Sequence, residues 1–397
     1  MNTKIQKDRI VIALEGRIDT TNAAQVEADI SALLAEHPDL TPAFDAGNLS
    51  YISSAGLRVL MKISKASGKK LSVSNVSKEV YEIFETTGFT NILDVQKRIR
   101  EISVEGCEVI GSGGFGTVYR TDPETIAKLY LPSMSLEMIQ HERDVAQKAF
   151  LLGVPTAISY DVVKCGESYG VVFELLNAKT VAQVIDGEPD RLQEMGERSA
   201  KLLKELHGIT LDDSTSLPDR KADFFANYEK IVTFLTPEEG DEILAFVKAL
   251  PEGRNFLHGD FNSKNIMVNG DDFLLIDIGD ATFGHPVFDL AGLILAYQYL
   301  PSSPMPEAER RRLLGFPLEA APAMLNTMFS TYFGIEKGDR EAMAKRVQNI
   351  MPYAQLLATY QGSRRVNFNP DYMEKILVPV VRTRLLPLIR NAAPLEW

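Results

Sequence analysis

The chain has 397 residues, 45% of them hydrophobic, enough to bury the cores of two or three ordinary domains. Two cysteines, Cys107 and Cys165, exclude a disulfide framework and fit a reducing compartment. The net charge of −12 is uneven: residues 1–100 carry 13 Lys and Arg against 12 Asp and Glu, whereas the other 297 carry 29 against 42. That acidic balance argues against nonspecific nucleic-acid binding, suits cationic ligands and also serves solubility. The opening run MNTKIQKDRIVIALEG lacks the apolar stretch and cleavage site of a leader, and the longest apolar run, LAGLILAYQYL (290–300), is too short to cross a bilayer. A soluble, cytoplasmic protein with no membrane partner is expected.

In chain order, RIVIALEG (9–16) alternates and is β-branched, so it predicts a strand. AAQVEADISALLAEH has helical periodicity, with Val26, Ile30, Leu33 and Leu34 on one face. TPAFDAG predicts a short buried strand, and SAGLRVLMKISKASG a helix closed by Gly68. KLSVSNV predicts another strand, and SKEVYEIFETTG a helix between Ser77 and Gly88. Together these make a small alternating β/α domain over residues 1–100.

Three of these segments, LEGRIDTTNAAQVE, FDAGNLSYISSAGLRVLM and LSVSNVSKEVYEIFETTGF, fall in the order of a STAS domain. Residues 3–98 resemble this anti-sigma factor antagonist family. The resemblance implies a phosphorylatable serine in the loop before the central helix and a protein partner of anti-sigma or STAS-binding type. The family's usual run is Asp-Ser-Ser-Gly-Leu; here it is Ser53-Ser54-Ala55-Gly56-Leu57, so Ser54 follows the position of the usual Asp and Ser53 replaces that Asp. In physical terms Ser53 or Ser54 should cap the helix, and a phosphate there would gain about 0.3–1 kcal/mol from the helix N-terminus. A plain capping serine is the alternative.

Residues 104–120, VEGCEVIGSGGFGTVYR, place Gly111, Gly113 and Gly116 at G-x-G-x-x-G spacing. By itself this is weak, but β-branched TVYR follows, then a turn, then IAKLY. Strand, glycine loop and strand make a hairpin able to close over phosphates, not the strand-to-helix turn of a dinucleotide fold. Val118 would form part of an adenine ceiling. Lys128 lies among apolar residues and needs an anionic partner or a phosphate. Glu142, on the helix SLEMIQHERDVAQKAF capped by Ser135, is the expected partner, with Glu137 as competitor. YGVVFELLNAKT (169–180) runs as a strand into a linker, with Phe173, Glu174, Leu175 and Leu176 as the hinge for an adenine edge.

In LHGDFNSKNIMVNGDDFLLIDIGDA (257–281), Asp260 and Asn265 share a tight loop after a buried strand, and Asp277 ends the second strand of the hairpin that follows. All three fall on one rim. Asn265 and Asp277 are hard oxygen ligands suited to Mg²⁺, and Asp260 can orient a hydroxyl and accept its proton. The run His-Gly-Asp-x-x-x-x-Asn, then Ile-Asp-x-Gly-Asp twelve residues beyond the Asn, resembles the aminoglycoside phosphotransferase/choline kinase-like family over about residues 104–300. The glycine loop, Lys128 and Glu205-Leu206-His207-Gly208 agree in order. The resemblance implies a bilobal protein-kinase-like fold (104–178 and 179–397), ATP and Mg²⁺. Asp260 then takes the place of the catalytic base, and Asn265 and Asp277 those of the metal ligands.

His258 is expected to hold the loop, His207 to be structural, and Asp289 to tie the loop's backbone together. Asp280 could assist the metal or the substrate. His141 and His285 have no neighbours at zinc spacing. Eleven residues separate Asp277 from Asp289, too few for the long activation segment of a protein kinase. The mostly helical remainder would build the acceptor pocket, with Tyr297, Tyr299, Tyr332, Tyr353 and Tyr360 either lining it or filling the core.

The expected fold is thus α/β followed by α+β. The leading function is phosphoryl transfer from ATP to a hydroxyl of a small molecule. The alternatives are a protein serine kinase acting on its own or a partner's STAS serine, and a non-catalytic nucleotide-sensing scaffold.

Overall fold

Alternating β-branched residues start the fold where the sequence predicts, in a computed structural model that describes residues 2–6, 8–68, 70–212 and 217–395. The chain divides into two compact units between Ser103 and Val104, and each has a hydrophobic core of its own. Among the described residues no helix is long and apolar enough to cross a membrane.

In the first unit, β1 (Thr3–Gln6) runs antiparallel to β2 (Arg9–Ile18). β3 (Thr41–Ile52), β4 (Ser72–Val76) and β5 (Asp94–Lys97) continue the sheet in parallel, in the order β1-β2-β3-β4-β5. Parallel neighbours need crossovers, supplied by α1 (Ala23–Glu36), α2 (Ser54–Ser67) and α3 (Lys78–Thr86). β3 is longer than the predicted TPAFDAG stretch. It runs on because Leu49 and Ile52 turn inward, and two register shifts against β2 absorb the extra length. Ile10, Ile12, Phe44 and Val73 meet Leu57, Leu60, Val80 and Phe84 in the core.

α2 explains part of the Ser-Ser-Ala-Gly-Leu run. A Cβ on Gly56 would lie 2.7 Å from both Ile18 Cγ2 and Ile52 Cγ1, so only glycine lets the helix seat on the strands. Ser53 is the N-cap: its Oγ accepts from Ala55 N at 3.2 Å, while Ser54 is the first helical residue and is exposed.

The second unit begins with an antiparallel sheet: β6 (Glu108–Ser112), β7 (Gly116–Arg120), β8 (Thr125–Tyr130), β9 (Ser159–Cys165) and β10 (Ser168–Glu174) lie in the order β9-β10-β8-β7-β6. α4 (Leu136–Leu151), capped by Ser135, packs Ile139 against Val171 and Tyr130 of this sheet. Helices follow: α5 (Val181–Gly187), α6 (Leu192–Gly208), α7 (Arg220–Ile231) and α8 (Pro237–Lys248). Next come the strand pairs β11 (Asn255–Leu257) with β14 (Thr282–Gly284), and β12 (Ile266–Asn269) with β13 (Asp272–Leu275). α9 (Val287–Ile294) runs into a π-helical turn, Leu295–Tyr299. α10 (Glu307–Leu314), α11 (Ala321–Phe333) and α12 (Arg340–Arg365) make the helical remainder, and short α and π turns follow from 370 to 390.

The cap assignment is testable. Ser53→Ala should cost α2 about 1 kcal/mol and Ser54→Ala only a few tenths, read as faster hydrogen exchange of the first-turn amides in the full chain.

Candidate active site

Register places Lys128. Gly111 pairs with Val118, Val118 with Lys128, and Lys128 with Val171, so the four form one cross-strand row on the face covered by α4. On that face the Lys128 ammonium donates to Glu142 Oε1 at 2.8 Å and also contacts Asp277 Oδ1. Burial opposes the lysine's charge, but Asp277 and Glu142 together outweigh it and hold the ammonium's pKa above its ordinary value. Glu142 is therefore the lysine's partner on α4, and Glu137 stays exposed in the first turn.

Residues of the glycine loop differ in what they do. Gly113 N donates to Gly116 O at 2.9 Å to close the hairpin, and Phe115 stands 70% exposed at its tip. A Cβ on Gly116 would lie 2.0 Å from Leu129 O, so this glycine has a sheet-packing reason independent of any phosphate. Glu174 is tied into the sheet: its amide donates to Ile158 O at 2.9 Å and its carboxylate accepts from Ile158 N at 3.3 Å. Leu175 N donates to Glu124 O. Both residues shape the linker through the sheet.

The residues of the Asp260–Asn265 loop converge. Asn265 Nδ2 donates to Asp260 Oδ2 at 2.9 Å and to Asp260 O at 2.9 Å, and Ile276 N donates to Asn265 O at 3.0 Å, which fastens the loop to the strand leading to Asp277. Asn262 Nδ2 donates to Asp260 Oδ1 at 3.1 Å, so two amides clamp one carboxylate. Asp260 is crowded by protein atoms yet still reached by solvent. Its pKa is raised, first by desolvation and then by Asp280 and Asp277, against the pull of His258 and the Asn265 hydrogen bond. Asp277 is one of few non-glycine residues in the left-handed region, at φ 60°, which turns the chain sharply after β13.

A buried layer supports the loop from behind. Asp289 accepts from His258 N at 2.8 Å, from Gly259 N at 2.9 Å and is 3.2 Å from His207 Nε2, whose Nδ1 meets Tyr332 Oη at 2.8 Å. Burial alone would raise the Asp289 pKa, but His207, His258 and the Gly259 amide hold it below the ordinary carboxylate value. His258 accepts from Asp260 N through Nδ1, and its Nε2 is buried without a protein partner among the described residues. Arg220, buried on α7, donates to Asp280 O and Thr282 Oγ1.

Sequence reasoning missed Asn262 and Arg220. Asn262 was within reach, since it sits inside the Asp260–Asn265 run; nothing marks Arg220, which comes forty residues earlier.

The tyrosines prove to be core and scaffold. Tyr297, Tyr332, Tyr353 and Tyr360 are buried, with Tyr360 stacked on Phe224 at 4.4 Å and 9°, and Tyr299 is half-buried. Tyr297 reaches the Asp260–Asn265 loop, where its hydroxyl accepts from Ser263 N at 2.8 Å. Its pKa is pushed up to about 12, chiefly by burial.

The sequence model of the phosphotransferase enzyme family (APH) matches residues 107–324, more than half of the chain. The chain belongs to this phosphotransferase family. The STAS domain model matches residues 1–102. The candidate anti-sigma factor antagonist BtrV of Bordetella bronchiseptica is 33% identical over 99 residues, 23% of this chain and 84% of that protein. The front unit is a STAS domain. Among solved structures, a gentamicin complex of the aminoglycoside phosphotransferase APH(2")-IIa aligns at TM-score 0.45 and 18% identity, covering 78% of this chain and 97% of that one. A choline/ethanolamine kinase family protein of Mesorhizobium loti aligns at TM-score 0.43 and 17% identity, covering 72% and 92%.

Two outcomes are expected for the buried layer of this phosphotransferase. Asp289→Ala should destabilise it by about 3 kcal/mol, because the buried His258 amide, the half-buried Gly259 amide and His207 lose their shared partner. Since the Asp289 pKa is lowered by folding, its contribution is present above the ordinary carboxylate pKa and lost as pH falls through the lower folded value. Thermal unfolding against pH should therefore show a shallower acid decline in the variant. Tyr297→Phe should leave the Ser263 amide unpaired and cost about 1–3 kcal/mol, measured by denaturant titration.

Proposed function

We propose that this phosphotransferase transfers the γ-phosphoryl group of ATP, with Mg²⁺, to a hydroxyl of a small molecule, and that the STAS unit is its regulatory part, contacting a protein of anti-sigma type. The observation that carries the reading is the convergence of Lys128, Glu142 and Asp277 with the clamped Asp260–Asn265 pair.

The donor set fits a nucleotide-bound magnesium ion. Asn265 spends its Nδ2 on Asp260, which leaves its Oδ1 as a hard donor alongside the Asp277 carboxylate. Among the described residues no three His, Cys, Asp or Glu side chains form a ready-made metal cage. Two protein oxygens completed by phosphate and water are how Mg²⁺ is commonly held. When bound, the metal supplies charge neutralisation on the transferring group.

Lys128, held by its two carboxylates, is positioned to bind phosphate oxygens, and Val118 on the same face to cover a base. Asp260 orients the acceptor hydroxyl and takes its proton as the acceptor oxygen bonds to the γ-phosphorus and the bond to the β–γ bridging oxygen breaks. Its raised pKa makes the ionised Asp260 a stronger base than an ordinary carboxylate.

The segment between Asp277 and Asp289 is a 3₁₀ turn, Ile278–Asp280, and the short strand β14 before α9. It offers little for a peptide to lie on, which favours a small acceptor. A protein serine is the second reading, favoured by the exposed Ser54 hydroxyl at the N-terminus of α2 in the same chain.

Labelled ATP with a panel of hydroxylated small molecules separates these. Soluble labelled product supports the first reading, label on Ser54 or Ser53 the second, and no transfer from an ATP-saturated wild type leaves only a nucleotide-sensing scaffold. Asp260→Ala should lower kcat by about 10²–10⁴ with nucleotide affinity little changed. Because the Asp260 pKa is raised, the acid limb of the kcat/KM profile should lie above pH 3.8.

A further inference from the structure

The turn after Asp277 packs against α4, and at Gly279 there is no room to spare. A Cβ built on Gly279 would lie 2.3 Å from Glu142 Cγ and 2.8 Å from Glu142 Cδ. The crowded atoms belong to the side chain that holds Lys128. A flexible glutamate could swing away from a methyl group, but this one is anchored at its carboxylate, so swinging away breaks the ion pair. Gly279 itself sits in the 3₁₀ turn Ile278–Asp280 and is not among the glycines at positive φ. An alanine there meets a packing conflict and no backbone strain.

A second set of hydrogen bonds prevents α4 from backing off to make room. After α4 the chain crosses to β13, the strand that leads to Asp277. Leu275 N donates to Pro155 O at 2.7 Å, and the buried Thr156 Oγ1 donates to Leu275 O at 2.9 Å. The helix exit and the Asp277 strand are therefore joined by backbone as well as side-chain hydrogen bonds. With α4 fixed at this end and Lys128 fixed in the sheet, the room left for Glu142 is set by the residue at 279.

We infer that Gly279 is a positioning residue: its missing side chain is the space through which Glu142 reaches Lys128, so that the lysine's two carboxylate partners are held on one body and their pairing is built in. This rests on the nucleotide-binding role proposed above for Lys128. The close packing of Gly279 on Glu142 does not depend on that role.

The test uses the full chain. Gly279→Ala, Glu142→Ala and the double variant are compared with wild type by equilibrium binding of a non-hydrolysable ATP analogue with Mg²⁺. Thermal unfolding confirms folding, and a crystal structure of nucleotide-free G279A is determined. In that structure the Lys128 ammonium and the Glu142 carboxylate should stand apart instead of pairing at 2.8 Å. Each single variant should weaken analogue binding about tenfold, and the double no further than E142A alone, because both act through one pair. An intact Lys128–Glu142 ion pair in G279A, or binding defects that add in the double variant, would overturn the inference. If G279A does not fold, Gly279→Ala combined with Glu142→Ala provides the check: removal of the crowded side chain should restore folding, and failure to do so also overturns it. A wild type that ignores the analogue would sink the kinase reading, while the Lys128–Glu142 distance in the G279A structure still decides the role of Gly279.

Discussion

A lysine in an apolar strand is the constraint around which the second unit is arranged. The Lys128 ammonium is largely removed from water, and a charge so placed must be matched or it costs several kcal/mol. It is matched twice, by Glu142 from α4 and by Asp277 from the turn after β13. These carboxylates come from elements far apart in the chain, so satisfying one cation fixes the helix, the sheet and the acidic turn relative to each other. Removing either partner leaves a charge imbalance in a crowded place. The same arrangement puts a positive group where the proposed phosphate would lie.

The Asp260–Asn265 loop and its surroundings obey a different rule, that backbone N–H and C=O groups taken from water need hydrogen-bond partners. His258 N and Gly259 N find Asp289, Ser263 N finds Tyr297, and Asp280 O is met by Arg220. None of these supporting groups hydrogen-bonds the Asp260 carboxylate, yet they determine where its backbone runs. Asn262 and Asn265 then fix the carboxylate itself from both sides. The result is a carboxylate whose position is held by neutral amides, which orient it without adding charge, in a neighbourhood already acidic from Asp277 and Asp280.

The two units solve packing problems of different kinds. The STAS domain is a mostly parallel sheet with crossover helices, and its tight approach of Gly56 to Ile18 and Ile52 lies beside the serines of its central loop. There Ser53 is committed to capping, whereas Ser54 presents its hydroxyl to solvent. The phosphotransferase unit places close approaches of this kind at Gly116 of its hairpin and at Gly279 of its acidic turn. At Gly56, Gly116 and Gly279 glycine is required because two elements approach there, whereas Gly259, beside Asp260, also sits at φ 85°.

The sequence by itself determined most element types, the two family memberships and the grouping of Lys128 with Glu142 and of Asp260 with Asn265, but not Asn262 or Arg220. Periodicity reports which face is buried, and the spacing of Asp260, Asn265 and Asp277 on a loop and a hairpin leaves few ways to place them. Even the choice of Glu142 over Glu137 was legible, since helical spacing puts only one of them near the core face. Tertiary structure alone decided what depends on contacts between distant segments. It made Tyr297 a support of the Asp260–Asn265 loop through a π turn, tied Glu174 to Ile158, extended β3 past its predicted end and brought Arg220 to Asp280. It also gave Gly116 and Gly279 their reasons. A sequence records which residues can make a hydrogen bond or tolerate a missing side chain, but which neighbour arrives at that point is settled only when separate elements pack against one another.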